Sequence, residues 1–419
     1  MNFKDKKVVL MGLGNYKDGS GISAALFFAR NNAKLLITDL QSKKELAPQI
    51  KKLKKFPNIK YILGRHREDD FKNADYIFKN PSVPKDSPYL KIARQNKIPV
   101  INDWTIFFEE RPGNLLIGIT GSKGKSTTTA LIYQLLKIAK KDVVLCGNIG
   151  KSPLAVLQKI KKDTIIVAEL SSWLLQEFKS IKHSPRISVI TNLMPEHLDK
   201  YKNIREYYGD KENIFRFQRP NDYLILNKND KKLKSMARKA KSRIIWYDGE
   251  PKNAGFAIAK ILKISKKIAN KAAQNFKGLS GRLELIREKN GVKYYNDTTA
   301  TMPDATIYAL HSLKKYKGRI ILIAGGVDKK LDYKNLARLI KKSVKALVLL
   351  EGTASDKILK EMNIKNEKIS SMQKAVATAS KLASKNDVVL LSPAAASFNL
   401  FRNEFDRGKQ YDKAVSLIS

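Results

Sequence analysis

The segment Ile117-Gly118-Ile119-Thr120-Gly121-Ser122-Lys123-Gly124-Lys125-Ser126-Thr127-Thr128-Thr129 holds the residues with the clearest chemistry. An apolar run, a glycine-rich turn and a helix start near Lys125 aim several backbone N–H groups and the positive end of a helix dipole at one point. That point suits a polyphosphate. Lys125 can reach the β- and γ-phosphates as a mobile cation, and the Ser126 hydroxyl can ligate Mg2+. The strict P-loop pattern asks for glycine at position 119, where this chain has Ile, leaving the shorter variant Thr-Gly-x-x-Gly-Lys-Ser. Thr120, Gly121, Ser122, Lys123, Gly124, Lys125, Ser126 and Thr127 are therefore expected to bind ATP. The competing reading is a surface turn that happens to contain Gly-Lys. The apolar strand before it and the Thr-rich helix start after it weigh against that.

Two more polar groups follow apolar runs. Residues 164–168 lead into Glu169-Leu170-Ser171-Ser172, and 187–191 lead into Asn192-Leu193-Met194-Pro195-Glu196-His197-Leu198-Asp199. In a parallel α/β sheet the ligand lies beyond the carboxyl ends of the strands, so Lys125, Glu169 and His197 can converge on one cleft. A carboxylate and an imidazole facing nucleotide phosphates are reasonable Mg2+ ligands. Glu169 alone could instead be a helix N-cap or a surface acid.

The elements that must place these residues form three α/β blocks. The expected fold class is α/β, with a Rossmann-like N-terminal domain (1–110), a central P-loop ATPase domain on a parallel sheet (111–279) and a Rossmann-like C-terminal domain (280–419). In the first block a strand at 7–11 enters the turn Gly12-Leu13-Gly14, a helix follows from Ile22 to about Asn31, and a strand at 35–38 ends in Asp39. An acid there suits a ribose or phosphate, or is simply a turn acid, and the G-x-G-x-x-G fingerprint is broken by Lys17. In the third block strands at 292–295, 319–324, 346–350 and 388–391 each end in polar or small residues: Asn296-Asp297-Thr298-Thr299-Ala300-Thr301, Gly325-Gly326-Val327-Asp328-Lys329-Lys330, Glu351-Gly352-Thr353 and Ser392-Pro393-Ala394-Ala395-Ala396-Ser397.

Composition narrows the setting. The 419 residues carry 81 Lys+Arg against 39 Asp+Glu, a formal charge of +42. That field favours anionic substrates. The lysines fall as scattered pairs along the chain, such as Lys51-Lys52 and Lys341-Lys342, and form no basic arm, so no dedicated nucleic-acid partner is expected. A single cysteine, Cys146, excludes a disulfide framework and fits a reducing compartment. No apolar run approaches the roughly 18 residues of a membrane span, and the N-terminus runs directly into a strand. A cytoplasmic protein without membrane insertion is expected.

Read in order, these motifs resemble the Mur ligases of peptidoglycan synthesis over nearly the whole chain. The resemblance rests on the P-loop, Asn148 in Gly147-Asn148-Ile149-Gly150, Glu169 to Ser172, Asn192 to Asp199, Arg282 and Asn296-Asp297. The opening Gly12-Leu13-Gly14, Gly325-Gly326 with Asp328-Lys329, and Ser392 to Ser397 followed by Phe401-Arg402-Asn403 and Arg407-Gly408 look most like the D-glutamate-adding branch. The resemblance implies a monomeric enzyme with UDP-N-acetylmuramoyl-L-alanine and D-glutamate as substrates, ATP, and two Mg2+ ions. It implies a substrate carboxylate that attacks the γ-phosphate, giving an acyl phosphate and ADP, after which the D-glutamate amine displaces phosphate. Lys125 and Arg282 would hold the ATP phosphates, Asp297 the ribose and Asn253 the adenine. Ser126 and Glu169 would hold one Mg2+, and His197 a second beside a carbamylated Lys211. Thr301, Lys329 and Ser397 would receive D-glutamate; Gly14, Asp39 and Asn148 would lie along the UDP-substrate.

The chain also departs from the family pattern. Ser280-Gly281 stands where Pro-His is usual, Thr298-Thr299 where a lysine is usual, and Lys252-Asn253 where a His-Asn pair precedes a long helix. Thr299 either leaves a missing cation for Lys329 and Lys330 to replace or caps the next helix. The short stretch from Trp246 to Pro251 implies a missing hairpin at the edge of the central sheet. Open alternatives are a Mur-type or folylpolyglutamate-type ligase with another acceptor, and a nucleotide-binding protein without turnover.

Overall fold

A computed structural model describes residues 1–15, 19–149, 151–194, 201, 203–329 and 331–418; His197 and Lys330 lie outside the described residues. Strand runs alternate with helices, and a helical crossover brings the next strand back parallel. Three sheets result. The first contains β1 (Lys7–Met11), β2 (Lys34–Asp39), β3 (Lys60–Leu63), β4 (Tyr76–Lys79) and β5 (Val100–Ile101) in the order β3-β2-β1-β4-β5, all parallel. The helix expected from Ile22 begins at Ser20. The second contains β6 (Leu116–Thr120), β7 (Val143–Gly147), β8 (Ile165–Glu169), β9 (Ile187–Ile190), β10 (Tyr223–Asn227) and β11 (Arg243–Tyr247) in the order β11-β10-β9-β6-β8-β7, also parallel.

The third contains β12 (Glu284–Lys289), β13 (Val292–Asn296), β14 (Ile320–Gly325), β15 (Val344–Leu350), β16 (Lys368–Ile369) and β17 (Val388–Leu391) in the order β12-β13-β17-β14-β15-β16. Only the β12–β13 pair is antiparallel. Central strands such as β6 and β8 are buried at every residue, as expected of parallel strands covered on both faces. No helix among the described residues is long and apolar enough to cross a membrane.

The chain divides into two compact units, Met1–Phe276 and Lys277–Ser419. The first unit contains both the first and second sheets, so residues expected as separate domains at 1–110 and 111–279 share one unit. One hydrophobic cluster runs through it, from Phe28, Ile37 and Phe78 through Trp104 and Phe107 to Phe178 and Ile190. Trp104 and Phe178 meet with ring centroids 5.3 Å apart, tilted to each other. A partly buried ion pair lies beside it: Lys79 Nζ is 2.7 Å from Glu177 Oε1, and Asn102 Nδ2 donates to Glu177 Oε2 at 3.2 Å.

Beside that pair Asp103, 3% exposed, opens the helix Asp103–Glu110. Its Oδ1 accepts from Ser20 Oγ at 2.5 Å and its Oδ2 from Ser152 Oγ at 2.6 Å. Ser20 begins the helix after the first glycine turn, and Ser152 caps the helix after Gly147-Asn148. One carboxylate thus joins the strand-end loops of two sheets.

Burial holds the Asp103 carboxyl above its ordinary value, with the two serine bonds opposing the shift. The folded pKa therefore exceeds the unfolded one. The folded state keeps a proton that the unfolded state has lost, so this group's contribution to stability falls as pH rises from about 4 through the raised pKa. Asp103→Asn cannot titrate. Thermal unfolding over a series of pH values should show Tm of the variant gaining on wild type as pH rises, whereas a constant difference would mean that Asp103 titrates normally.

Candidate functional site

The apolar run 116–120 forms β6, and the helix Lys125–Ile138 starts directly after the turn. Gly121 (φ 142°) and Gly124 (φ 79°) take backbone conformations that L side chains rarely adopt. The end of β9 holds this loop. Ser122 N–H donates to the Asn192 carbonyl at 2.9 Å, Lys123 N–H to Asn192 Oδ1 at 2.8 Å, and Thr191 Oγ1 to the Lys123 carbonyl at 2.5 Å. Ser122 Oγ donates to the Met194 carbonyl at 3.0 Å. Thr191 and Asn192 were given no role by the sequence reading. Their signal was there, since both directly follow a β-branched apolar run.

Two ammonium groups meet at one atom. Lys125 Nζ donates to the Gly121 carbonyl at 2.9 Å and to the Ser122 carbonyl at 2.7 Å. Lys211 Nζ donates to the same Gly121 carbonyl at 2.8 Å from inside the protein, where its side chain is 1% exposed. It also lies 4.7 Å from the Tyr207 ring centroid. The structure therefore brings Lys211 to the loop, although the two are 90 residues apart.

Glu169 ends β8 in register with Ile119 on β6 and Gly147 on β7. It is 1% exposed, and the next helix is capped by Ser171, so it is neither a surface acid nor an N-cap. Its Oε1 accepts from Asn148 Nδ2 at 3.1 Å, while Oε2 is buried without a hydrogen-bond partner. Thr120 Oγ1 is likewise buried and unpartnered. A buried carboxylate oxygen without a donor is costly unless a cation or proton meets it. Together with Ser126, 4% exposed in the first helical turn, this set fits a hard divalent cation. His197, expected as a further ligand, lies outside the described residues.

Asp39 is committed to the first loop. Its Oδ2 accepts from Leu13 N–H at 2.8 Å and Gly14 N–H at 3.1 Å, and its Oδ1 from Gln41 N–H at 2.9 Å. These bonds give Asp39 a turn-holding role, and they fix the shape of the loop carrying Gly14. Asn253, expected ahead of a helix, lies inside the helix Pro251–Ile261, and its Nδ2 donates to both Asp248 oxygens at 2.9 and 2.7 Å. It lines a cavity of about 370 Å3 with Lys228, Trp246, Tyr247, Phe256 and Lys260.

In the second unit the candidates gather at the ends of β13, β14 and β17. Asp297 is 8% exposed; its Oδ1 accepts from Leu283 N–H at 3.1 Å and its Oδ2 from Ser392 Oγ at 2.8 Å. Arg282, in the preceding turn, is exposed. Ala300 carbonyl accepts from Ala394 N–H at 2.9 Å, and Val327 and Ala396 exchange backbone bonds at 2.9 and 3.0 Å. Thr301, Lys329 and Ser397 therefore sit on loops that are laced together. Ser397 is 2% exposed, and its Oγ has no hydrogen-bond partner. Thr299 is not a helix cap: the helix Pro303–Ser312 is preceded by Met302, and Thr299 Oγ1 donates to the Gly281 carbonyl at 3.0 Å.

Parallel sheets, a glycine loop at a helix N-terminus and a buried carboxylate at the neighbouring strand end define a nucleotide-binding α/β protein. Family models match successive stretches: a Mur ligase MurD-like N-terminal domain over 6–102, the Mur ligase middle domain over 119–285, and the Mur ligase glutamate ligase domain over 281–395. The chain belongs to the Mur ligase family and is a ligase. It is 35% identical to the UDP-N-acetylmuramoylalanine–D-glutamate ligase of Roseiflexus sp. (strain RS-1), covering 99% of each chain. It is 36% identical to the protein of the same name from Borreliella afzelii (strain PKo), covering 99% of this chain and 98% of the relative. In fold it matches the UDP-N-acetylmuramate–alanine ligase MurC of Thermotoga maritima at a TM-score of 0.60 and 18% identity, over 98% of this chain and 99% of the other. It matches the MurF ligase of the same organism, in complex with ADP, at 0.59 and 16%, over 99% and 96%.

A Cβ at Gly121 would stand 1.9 Å from Thr191 Oγ1, closer than any contact allows. Gly121→Ala should therefore spread the loop from β9 and weaken ATP binding about tenfold or more, with the fold retained by circular dichroism. Calorimetric titration with ATP checks this; unchanged affinity would mean that the loop is not the phosphate site.

Proposed function

We propose that this chain joins D-glutamate to UDP-N-acetylmuramoyl-L-alanine at the expense of ATP, in the synthesis of peptidoglycan precursors. The observation that carries this reading is the near full-length similarity to ligases of that name, at about a third identity, on a fold with a glycine loop of the shorter Thr-Gly-x-x-Gly-Lys-Ser type at a helix start. The substrate carboxylate attacks the γ-phosphorus, the acyl phosphate forms and ADP leaves. The D-glutamate amine then attacks the acyl carbon, loses a proton, and phosphate departs. Both steps crowd anions together, so positioning and charge neutralisation supply most of the rate. Lys125 neutralises the γ-phosphate, and Arg282 and Asp297 serve the phosphates and ribose. Ser126 and Glu169 would hold one Mg2+ and His197, on sequence grounds, a second; these ions would supply further charge neutralisation.

Asn253 serves the adenine. Gly14 and Asn148 serve the UDP-substrate, and Asp39 acts on it through the loop it holds. Thr301, Lys329 and Ser397 take the carboxylates of D-glutamate. We assign these roles to domains at 1–110, 111–279 and 280–419, in a cytoplasmic monomer with no nucleic-acid partner.

Phosphate release should require ATP, Mg2+, UDP-N-acetylmuramoyl-L-alanine and D-glutamate together. Robust release with L-lysine, meso-diaminopimelate or L-alanine, and none with D-glutamate, would point to another member of the family. Lys125→Ala should abolish turnover; activity within a few-fold of wild type would remove the loop from the mechanism.

Lys211 is proposed to act as a carbamate. Two ammonium groups that donate to one carbonyl repel each other at close range. Carbamylation replaces one positive charge with a negative one and keeps an N–H on the same nitrogen for Gly121. Lys211→Ala should be nearly inactive and regain part of its turnover when a short-chain carboxylate is added. Full activity without added carboxylate would sink this role.

A further inference from the structure

The helix Glu404–Ser416 presses directly on the strand ends of the third sheet. Gly408 permits the approach: a Cβ there would meet Thr298 Cγ2 at 2.7 Å and Asn296 Nδ2 at 3.3 Å. The residue before it, Arg407, is 0% exposed. Its Nε donates to Thr298 Oγ1 at 3.2 Å, one terminal nitrogen to the Ala395 carbonyl at 3.1 Å, and the other to the Thr298 carbonyl at 2.7 Å. All of these acceptors are neutral. Among the described residues no carboxylate lies within ion-pair distance of Arg407; the acid acting on it is Glu404, half-buried one turn earlier.

A guanidinium has five N–H donors and one full charge; these bonds use only part of the donors, and among the described residues the charge is met by Glu404 alone, at longer than ion-pair distance. Burial lowers its pKa to about 10, so the group stays protonated at neutral pH. A buried charge without a counter-ion is costly, and such a site is relieved by an anion brought close to it.

Thr298 belongs to the loop leading to Thr301, and Ala395 to the loop leading to Ser397. Arg407 therefore ties together two of the loops that carry the acceptor candidates. The third, with Lys329, is laced to them through the Val327–Ala396 backbone pair. Thr298 fits this role, donating to the Glu404 carbonyl at 2.7 Å while it accepts from Arg407. A lysine at that position would lack the acceptor oxygen and add a second cation.

We propose that Arg407 is a positioning residue of the acceptor subsite: it holds the strand-end loops in register and supplies, from inside the fold, a fixed positive potential that selects an acidic amino acid over a neutral one. This rests on the acceptor reading above. Its test is the preference for D-glutamate over D-glutamine, which differ in the charge of one terminal group. Acceptor kcat/KM values are measured for both at saturating ATP and UDP-N-acetylmuramoyl-L-alanine, with D-glutamine scored by competitive inhibition if it is not turned over.

Arg407→Gln should cut the preference about tenfold or more, and Arg407→Lys should keep most of it while kcat falls. A merely structural role would weaken both acceptors alike, so an unchanged preference in a folded Arg407→Gln enzyme overturns the proposal. Should that variant fail to fold, Thr298→Val, which removes one acceptor of Arg407, should raise KM for D-glutamate several-fold and leave KM for the UDP-substrate alone; an unmoved D-glutamate KM is equally decisive against it. A wild-type enzyme that ignores D-glutamate would remove the acceptor reading and this inference together. Wild-type use of D-glutamate with an unchanged preference in the variant would remove the inference alone.

Discussion

The grip of β9 on the phosphate loop is the interaction on which the first unit's chemistry depends. A loop built from Gly121 and Gly124 has little conformational preference of its own. Backbone and side-chain bonds from Thr191 and Asn192 supply that preference, and they do so at the end of a strand fixed by the whole sheet. With the loop held, Lys125 and Lys211 approach one carbonyl from two sides, and Glu169 is delivered in register on the adjacent strand. Loosening β9 would release the loop on which the two ammonium groups meet.

The second unit reaches a comparable result by other means. Its strand-end loops are laced by backbone bonds and by a buried cation rather than gripped by a neighbouring strand. Ala394 even takes a left-handed conformation (φ 61°), a small local strain that the surrounding bonds sustain. Three of the unpartnered buried oxygens, on Thr120 and Glu169 in one unit and Ser397 in the other, lie at or just beyond strand ends, where ligands of α/β sheets bind; others, such as Gln49 Oε1 and Asn213 Oδ1, do not. Polar groups left without donors or acceptors in a folded protein are the economical sign of a site.

Local chemistry was legible in the sequence and long-range partnership was not. The phosphate loop is written within a few residues, so its strand, turn and helix could be read directly. Glu169 could be placed because a strand end dictates where its side chain goes. Asp39 could not be decided, because its partners are backbone N–H groups 25 and 26 residues earlier. Thr299 stayed open between two readings for the same reason: its hydroxyl serves Gly281, 18 residues away, and no cap rule could reveal that. Strands such as β3 and β16 escaped because they are short and only partly buried, with no full apolar run to announce them. Arg407 could be quoted as part of a motif, yet only burial distinguishes it from the many solvated cations of this chain.

The outer strand of the central sheet has one further consequence. Among the described residues β11 pairs only with β10, and Trp246 upon it is 42% exposed. Parallel backbone groups along such a rim are a template for unwanted pairing with another polypeptide. A molecule of formal charge +42 repels its own copies, so the abundance of lysine guards the rim without any residue being dedicated to that task. Such protection is colloidal rather than structural. It weakens as dissolved salt shortens the reach of the repulsion, which is about 10 Å at 0.1 M.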